Sequence, residues 1–489
     1  MADRSPALAA ATRGDIQEIR RLCFGVEGFR DHHMRTPLME ASRHGHTALV
    51  RFLTPMEAGE VDDKGKTALI YAAENGHLDC AVILKDLEAG QIDKSGKSAL
   101  IYAVQNGNLD IARILVDLEA GLLDHTQKTA LMYAAERGYA ELVILLIPRE
   151  ARLQDNNGWT SLMYGAYHGS TVCVEELVKK EGGMVNLEGN TALMIAAKAN
   201  RTEVIPALLP AERKMINPDG NTAFLVAVMD NNIDVARELL FDEYDVCTPE
   251  GLTGLMLAVN CNYPEMCQTL AEQLKGWGDK QGRTALILAT IQNNVELVQI
   301  LIPFEAGLGD TNEKTALAYA AEAGYVDLVC LLMPYETTLI DKHDVTALML
   351  AASNGHLDVV RLLIKSEYRF RDFLGRTALF YALMHKHIAV AQELIPDEKL
   401  IPDNLGKTAK QYAAELDCYD ELDWEAEVEV TVYAPAVPES FVEDVPGPTI
   451  QTAAVVTART RLHTQLYHKM DKDDNWEHIS ILQDPSDLE

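Results

Sequence analysis

The stretch Thr346-Ala-Leu-Met-Leu-Ala-Ala-Ser-Asn-Gly355-His-Leu-Asp-Val-Val-Arg-Leu-Leu363 decides the fold, because it recurs along the chain at a fixed spacing. Its leading threonine has counterparts at Thr36, Thr67, Ser98, Thr129, Thr160, Thr191, Thr222, Thr253, Thr284, Thr315, Thr377 and Thr408, each 31 residues from the next, and a diverged copy opens at Ser5. Fourteen copies thus follow one another without insertion or deletion. Each reads as two short helices. The Thr or Ser is an N-cap, able to accept a hydrogen bond from the first turn, and it precedes strong helix formers such as Ala-Leu-Met-Tyr-Ala-Ala. Nine residues on stands Gly, or Asn at Asn200, Asn231, Asn262 and Asn293, with Lys386 and Asp417 as departures. Gly and Asn tolerate the left-handed conformation that ends a helix. A second helix follows, with leucine seventeen residues after the cap in every copy except the last, which has Glu425. Pro55, Pro148, Pro210, Pro303, Pro334 and Pro396, two residues past that leucine, are expected to mark its end.

Two such helices cannot bury an apolar face alone, so neighbouring copies must stack and share a core. The residue five past the cap is alanine in thirteen copies and Gly165 in the other, which permits close approach. The loop before each cap opens with Asp31, Asp62, Asp93, Asp124 or Asp155 and usually has Gly three residues later, which is turn chemistry.

The pattern Asp-x-x-Gly-x-Thr-Ala-Leu-x-x-Ala-Ala-x-x-Gly-His-x-x-x-Val-x-x-Leu-Leu resembles the ankyrin repeat over roughly residues 1 to 420. The usual ankyrin period is 33 residues, so each copy here is two short, and Thr-Pro-Leu-His has become Thr-Ala-Leu-Met or Thr-Ala-Leu-Ile. The short period and the Glu-Ala-Gly at Glu57, Glu88, Glu119 and Glu305 are similar to the ankyrin family of diplomonad parasites such as Giardia. Some members of that family carry a kinase domain; its Gly-rich loop, Val-Ala-Ile-Lys, His-Arg-Asp and Asp-Phe-Gly have no match in this sequence. The expected fold class is all-α: a solenoid of about 14 helix-turn-helix units, with a capping copy at 1–35, repeats at 36–420, and a partly disordered acidic tail at 421–489. In the tail, 427–433 alternates like a strand and 452–470 has helical spacing of Val455, Leu462, Leu466 and Met470.

A net charge of −31, of which −12 falls in residues 420–489, opposes nonspecific binding to nucleic acid or anionic membranes. Eight scattered cysteines without Cys-x-x-Cys read as free thiols in a reducing cytosol. No run reaches the 18 apolar residues that span a bilayer, and the N-terminus lacks a signal-peptide core. The expectation is a soluble, cytoplasmic protein. Gly59 to Thr67 has five residues between its glycines where a phosphate-binding loop has four. The histidines and loop aspartates lack the ligand spacing of a metal site. No catalytic residue, cofactor or metal is therefore assigned, and no small-molecule substrate or nucleic acid is expected.

What remains is a surface. In ankyrin proteins the loop tips and the end of the first helix line a concave face that binds other proteins, and that face is implied here by the resemblance. The corresponding positions are mostly polar, but become apolar at Trp159, Tyr167, Leu187, Met229, Leu252 and Ile291, and again at Val345, Phe373, Leu374 and Met384. Trp159, Tyr167, Leu187, Met229, Leu252, Ile291 and Phe373 are the candidate partner-binding residues; the alternative is that the short loops fold them into the array. A basic row just before the caps, Arg35, Lys66, Lys97, Lys128, Arg283, Lys314, Arg376 and Lys407, is spaced to track an acidic filament. The function expected is a non-enzymatic scaffold for another protein. Alternatives are a structural component of the cytoskeleton or microtubules and a regulatory subunit of a kinase or other enzyme.

Overall fold

The computed structural model describes residues 6–23, 29–416 and 418–425. Among these it has 27 α-helices and two 3-10 turns, and its only β pairings are the isolated bridges Ile92 to Ser98 and Pro402 to Thr408. The chain divides into two units, residues 1–270 and 271–489. The strand and helix expected at 427–433 and 452–470, and Asp417, lie outside the described residues.

Most copies fold as the spacing requires; Thr222 and Thr377 make no cap bond among the described residues. In the Thr67 copy the Thr67 hydroxyl accepts from the Ile70 N–H at 3.3 Å, Ala68–Asn75 is helical, and Gly76 takes φ 76°. Asn200, Asn231, Asn262 and Asn293 adopt the same left-handed conformation, with φ between 53° and 57°, and Lys386 joins them at φ 60° despite its side chain. The second helix, Leu78–Glu88, buries Leu84 completely. The leucines at this position from Leu53 to Leu394 and the alanines five past the cap have no exposed surface. Within each unit, first helices pack on first helices of neighbouring copies and second helices on second helices. At the C-terminal end, Ala409–Glu415 is helical, and a 3-10 turn at Tyr419–Glu421 stands where the other copies begin a second helix.

The prolines behave differently from expectation. Pro55, Pro148, Pro210, Pro303, Pro334 and Pro396 lie inside helices that run two residues further, as in Thr47–Glu57 and Ala140–Glu150. Pro55, Pro148 and Pro303 sit on the solvent side. There the carbonyl that loses its partner can bond to water, and the missing N–H costs one bond rather than the helix.

What closes the second helix is its last residue, a buried glutamate. Glu88 accepts from the Leu69 N–H at the start of its own first helix, 2.7 Å, and from the Gly59 N–H of the preceding copy, 3.0 Å. The same two bonds recur at Glu119, Glu150, Glu181, Glu212 and Glu243 in the first unit and at Glu305, Glu336, Glu367 and Glu398 in the second. Each carboxylate therefore fastens its own hairpin and the copy before it. The donor two residues past the glutamate needs positive φ, which suits Gly59 and Gly90, but Thr338 is also held there at φ 71°. A β-branched residue in that region is strained, and the Thr338 N–H bond to Glu367 at 3.2 Å holds it.

Candidate functional site

The loops between copies are built on one side chain. Asp62 Oδ1 accepts from the N–H groups of Lys64 and Lys66, at 2.9 and 2.7 Å, which closes the turn, and its Oδ2 accepts from the Tyr71 hydroxyl at 2.7 Å. Asp93 with Tyr102, Asp124 with Tyr133 and Asp155 with Tyr164 repeat the hydroxyl bond at 2.6–2.7 Å. In the second unit Asp310 with Tyr319 and Asp372 with Tyr381 do so at 2.9 Å. Burial works to raise the Asp93 and Asp124 carboxyls, but the hydroxyl and backbone donors around them outweigh it and hold both below the usual range. Burial, then the aspartate bond, drives the tyrosine hydroxyls the other way, Tyr381 to about 12.

The basic row stacks on these tyrosines. Lys66 lies 4.2 Å from the Tyr102 ring centre, Lys128 4.0 Å from Tyr164, and Lys314 4.1 Å from Tyr319. Each is within attraction range of the ring face. Carboxylates complete the arrangement: Lys66 with Glu74, Lys128 with Glu136, Lys314 with Glu322, Lys407 with Glu415, Arg35 with Asp31, Arg283 with Asp279 and Arg376 with Asp372. Lys97 differs, because Gln105 stands where its carboxylate would be.

This motif lapses in the last copies of the first unit. Asn186, Asn217 and Thr248 replace the aspartate, and Ile195, Val226 and Leu257 replace the tyrosine. With no hydroxyl to receive, the second carboxylate oxygen has no task, and a neutral side chain closes the turn. Asn186 accepts from the Asn190 N–H at 2.9 Å and Thr248 from the Leu252 N–H at 3.2 Å. At the junction, Trp159 takes the lysine position. Its ring centre is 5.1 Å from Tyr164 and 5.8 Å from Tyr167, whose edge meets His168 at 5.1 Å.

The candidate residues therefore divide. Trp159 is half-buried by its neighbours and Tyr167 is 46% exposed. Leu187, 78% exposed, is tied to the Trp159 loop by its N–H bond to the Asn157 carbonyl, 3.1 Å. Trp159 and Tyr167 thus form one ring pair, and Leu187 stands exposed in the next loop. Met229 and Leu252, both half-buried, lie two and three copies further along the first unit. Ile291 and Phe373 are exposed in the second unit, where Phe373 packs against His343 at 5.5 Å. Val345, in the lysine position of a copy with Leu350 in place of the tyrosine, is buried, 9% exposed, and leaves the candidate zone.

Residue type gave the aspartate its turn role, but it missed the glutamate bonds and the tyrosine hydroxyl that the aspartate receives, although their spacing of 31 was available. It also missed what the Gly-His histidines do. His46, His77, His356 and His387 place Nε2 at 2.9–3.0 Å from a carbonyl ending the first helix of the preceding copy, an N–H donor capping an open acceptor. Asn108 and Asn232 do the same with side-chain amides. Among the described residues no three His, Cys, Asp or Glu side chains group as metal ligands, and no helix is long and apolar enough to cross a membrane.

No curated protein matches the chain significantly. A family model described as ankyrin repeats in three copies matches eight overlapping segments that together span residues 55–424. Arrays of this kind are protein-binding modules, and with this match spanning most of its length the chain belongs to the ankyrin-repeat family.

Proposed function

We propose that this chain is a non-enzymatic, cytoplasmic scaffold that holds a partner protein on the face made by its loops and first helices, with Trp159, Tyr167 and Leu187 as the anchor. The supporting observation is the Trp159–Tyr167 ring pair with Leu187 exposed in the next loop: three large apolar side chains at loop and helix-end positions that are polar in most other copies. An apolar group at such a position costs solubility unless something covers it, and aromatic clusters of this kind dominate binding energy at interfaces. Filament tracking by the basic row draws less support, because seven of its eight cations already have carboxylate partners.

A photo-crosslinking amino acid placed at Leu187, with Glu175 on the outer side of the second helix as control, tests the reading in lysate of the source cell. Adducts of defined mass should form from position 187 and not from 175. Equal labelling from the two positions would remove the face from consideration.

A further inference from the structure

Resting on that reading, we propose that the partner segment carries two kinds of anchor: an aspartate or glutamate seated between Lys94 and Lys97, and a large apolar side chain over Trp159, Tyr167 and Leu187. The first half stands on charge. Among the described residues Lys97 is the member of the basic row with no carboxylate, and its ring contacts lie at 5.8 Å to Tyr102 and 5.2 Å to Tyr133. Lys94 is exposed, and its own backbone N–H is spent on the Lys64 carbonyl, 2.8 Å, which fixes the loop. Both line a shallow cleft shared with Ser95, His125 and Thr126. The Asp124 carboxylate also borders it, but is buried, with Oδ1 receiving Thr126 and Lys128 and Oδ2 receiving Tyr133. Among the described residues neither lysine ammonium group has a carboxylate partner, and an acidic side chain complements the two together.

Geometry links the halves. Lys97 and Trp159 occupy the same position two copies apart, and consecutive loops are joined by single backbone bonds, His125 N–H to Ser95, Asn156 N–H to Thr126 and Leu187 N–H to Asn157, at 3.0–3.1 Å. At about 10 Å between packed helices, the two anchors stand roughly 20 Å apart. An extended strand at about 3.3 Å per residue covers that in about six residues. Between them Lys128 is already neutralised by Glu136, so the intervening residues need no charge. The occupant is thus an extended segment of another protein, with an acidic residue about six positions from an aromatic or aliphatic one.

The test is selection of a displayed library of random peptides about 18 residues long on the full-length chain, followed by fluorescence anisotropy with the enriched peptides. Enriched sequences should show the acidic and apolar positions at that spacing. Lys97→Glu, and separately Lys94→Glu, which disturbs no packing, should each weaken binding about fivefold to tenfold, and added salt should do likewise. Trp159→Ala should weaken it thirtyfold or more, with far-UV circular dichroism unchanged in all three variants. If Trp159→Ala abolishes binding while both charge reversals leave it intact, the two-anchor inference fails and the binding face stands. If neither kind of variant matters, both fail. Failure to enrich any peptide, as when residues 426–489 or a second copy already fill the face, also overturns the inference.

Discussion

A buried glutamate is an expensive way to end a helix, and the cost shows in its ionisation. Burial pushes the carboxyls of Glu88, Glu119, Glu150 and Glu181 above the ordinary value of 4.5, with the two backbone donors and the cap hydroxyl pulling back. The compensation is that one side chain satisfies two N–H groups that would otherwise be orphaned. Removing it leaves both. Glu181→Leu should therefore lower unfolding free energy by about 2–4 kcal/mol in urea titration, and Glu181→Gln, which keeps one acceptor, by less than half as much. Equal stability of the leucine variant and the parent would mean that these bonds do not hold the copies. The sequence displays these glutamates at a regular spacing, yet their role was not legible in it. Leu69 and Glu88, or Gly59 and Glu88, are 19 and 29 residues apart, and such separations acquire meaning only once the copies are stacked. The caps and the left-handed Gly and Asn were legible because each acts within four residues of itself. Trp159 was half legible: its type marked it as unusual, but its stacking on Tyr164 depends on the lysine row it replaces.

Between elements, the first unit is not equally fastened along its length. From the Thr36 copy to the Thr160 copy each loop receives one backbone bond from the next. Pro218 and Pro249 then occupy the donor position and have no N–H to give. Among the described residues the buried Thr222 hydroxyl has no partner. Local opening follows such losses. Amides in Ala223–Met229 and Gly254–Asn260 should exchange with deuterium at least tenfold faster than those in Ala99–Gln105 and Ala130–Arg137. Uniform protection across these four helices would show that the loop bonds contribute nothing to local stability. The proline readings went wrong at this scale: residue type alone marks Pro55 as a helix breaker, whereas its solvent-side position and the Glu57 anchor two residues later let the helix continue.

For the molecule as a whole, two opposed sets of carboxyls set the response to pH. Nine buried glutamates and the half-buried Glu57 have folded values raised above the unfolded one, chiefly by burial, and Glu305, with backbone groups and the Thr284 hydroxyl as its partners, reaches about 7. Between the raised values and 4.5 the native state binds more protons than the unfolded chain, so stability rises as pH falls from about 7 towards 5. Asp31, Asp93 and Asp124 are held below their ordinary 3.8, so the stability they contribute is present above that value and is lost as pH falls further. Thermal scans should show a melting maximum near pH 5, and Glu305→Gln should flatten the rise between pH 7 and 5. A melting temperature that falls steadily from pH 7 would contradict the burial account.

The central claim is that the copies are held together by their regular residues and that binding belongs to the irregular ones. It is tested most directly by measuring, on Trp159→Ala/Tyr167→Ala in the full chain, the affinity for a selected ligand peptide and the melting temperature together. The account predicts an affinity loss of about thirtyfold or more while melting falls by no more than about 4 °C, roughly 1 kcal/mol. Unchanged affinity, or a melting loss as large as that of Glu181→Leu, would contradict it.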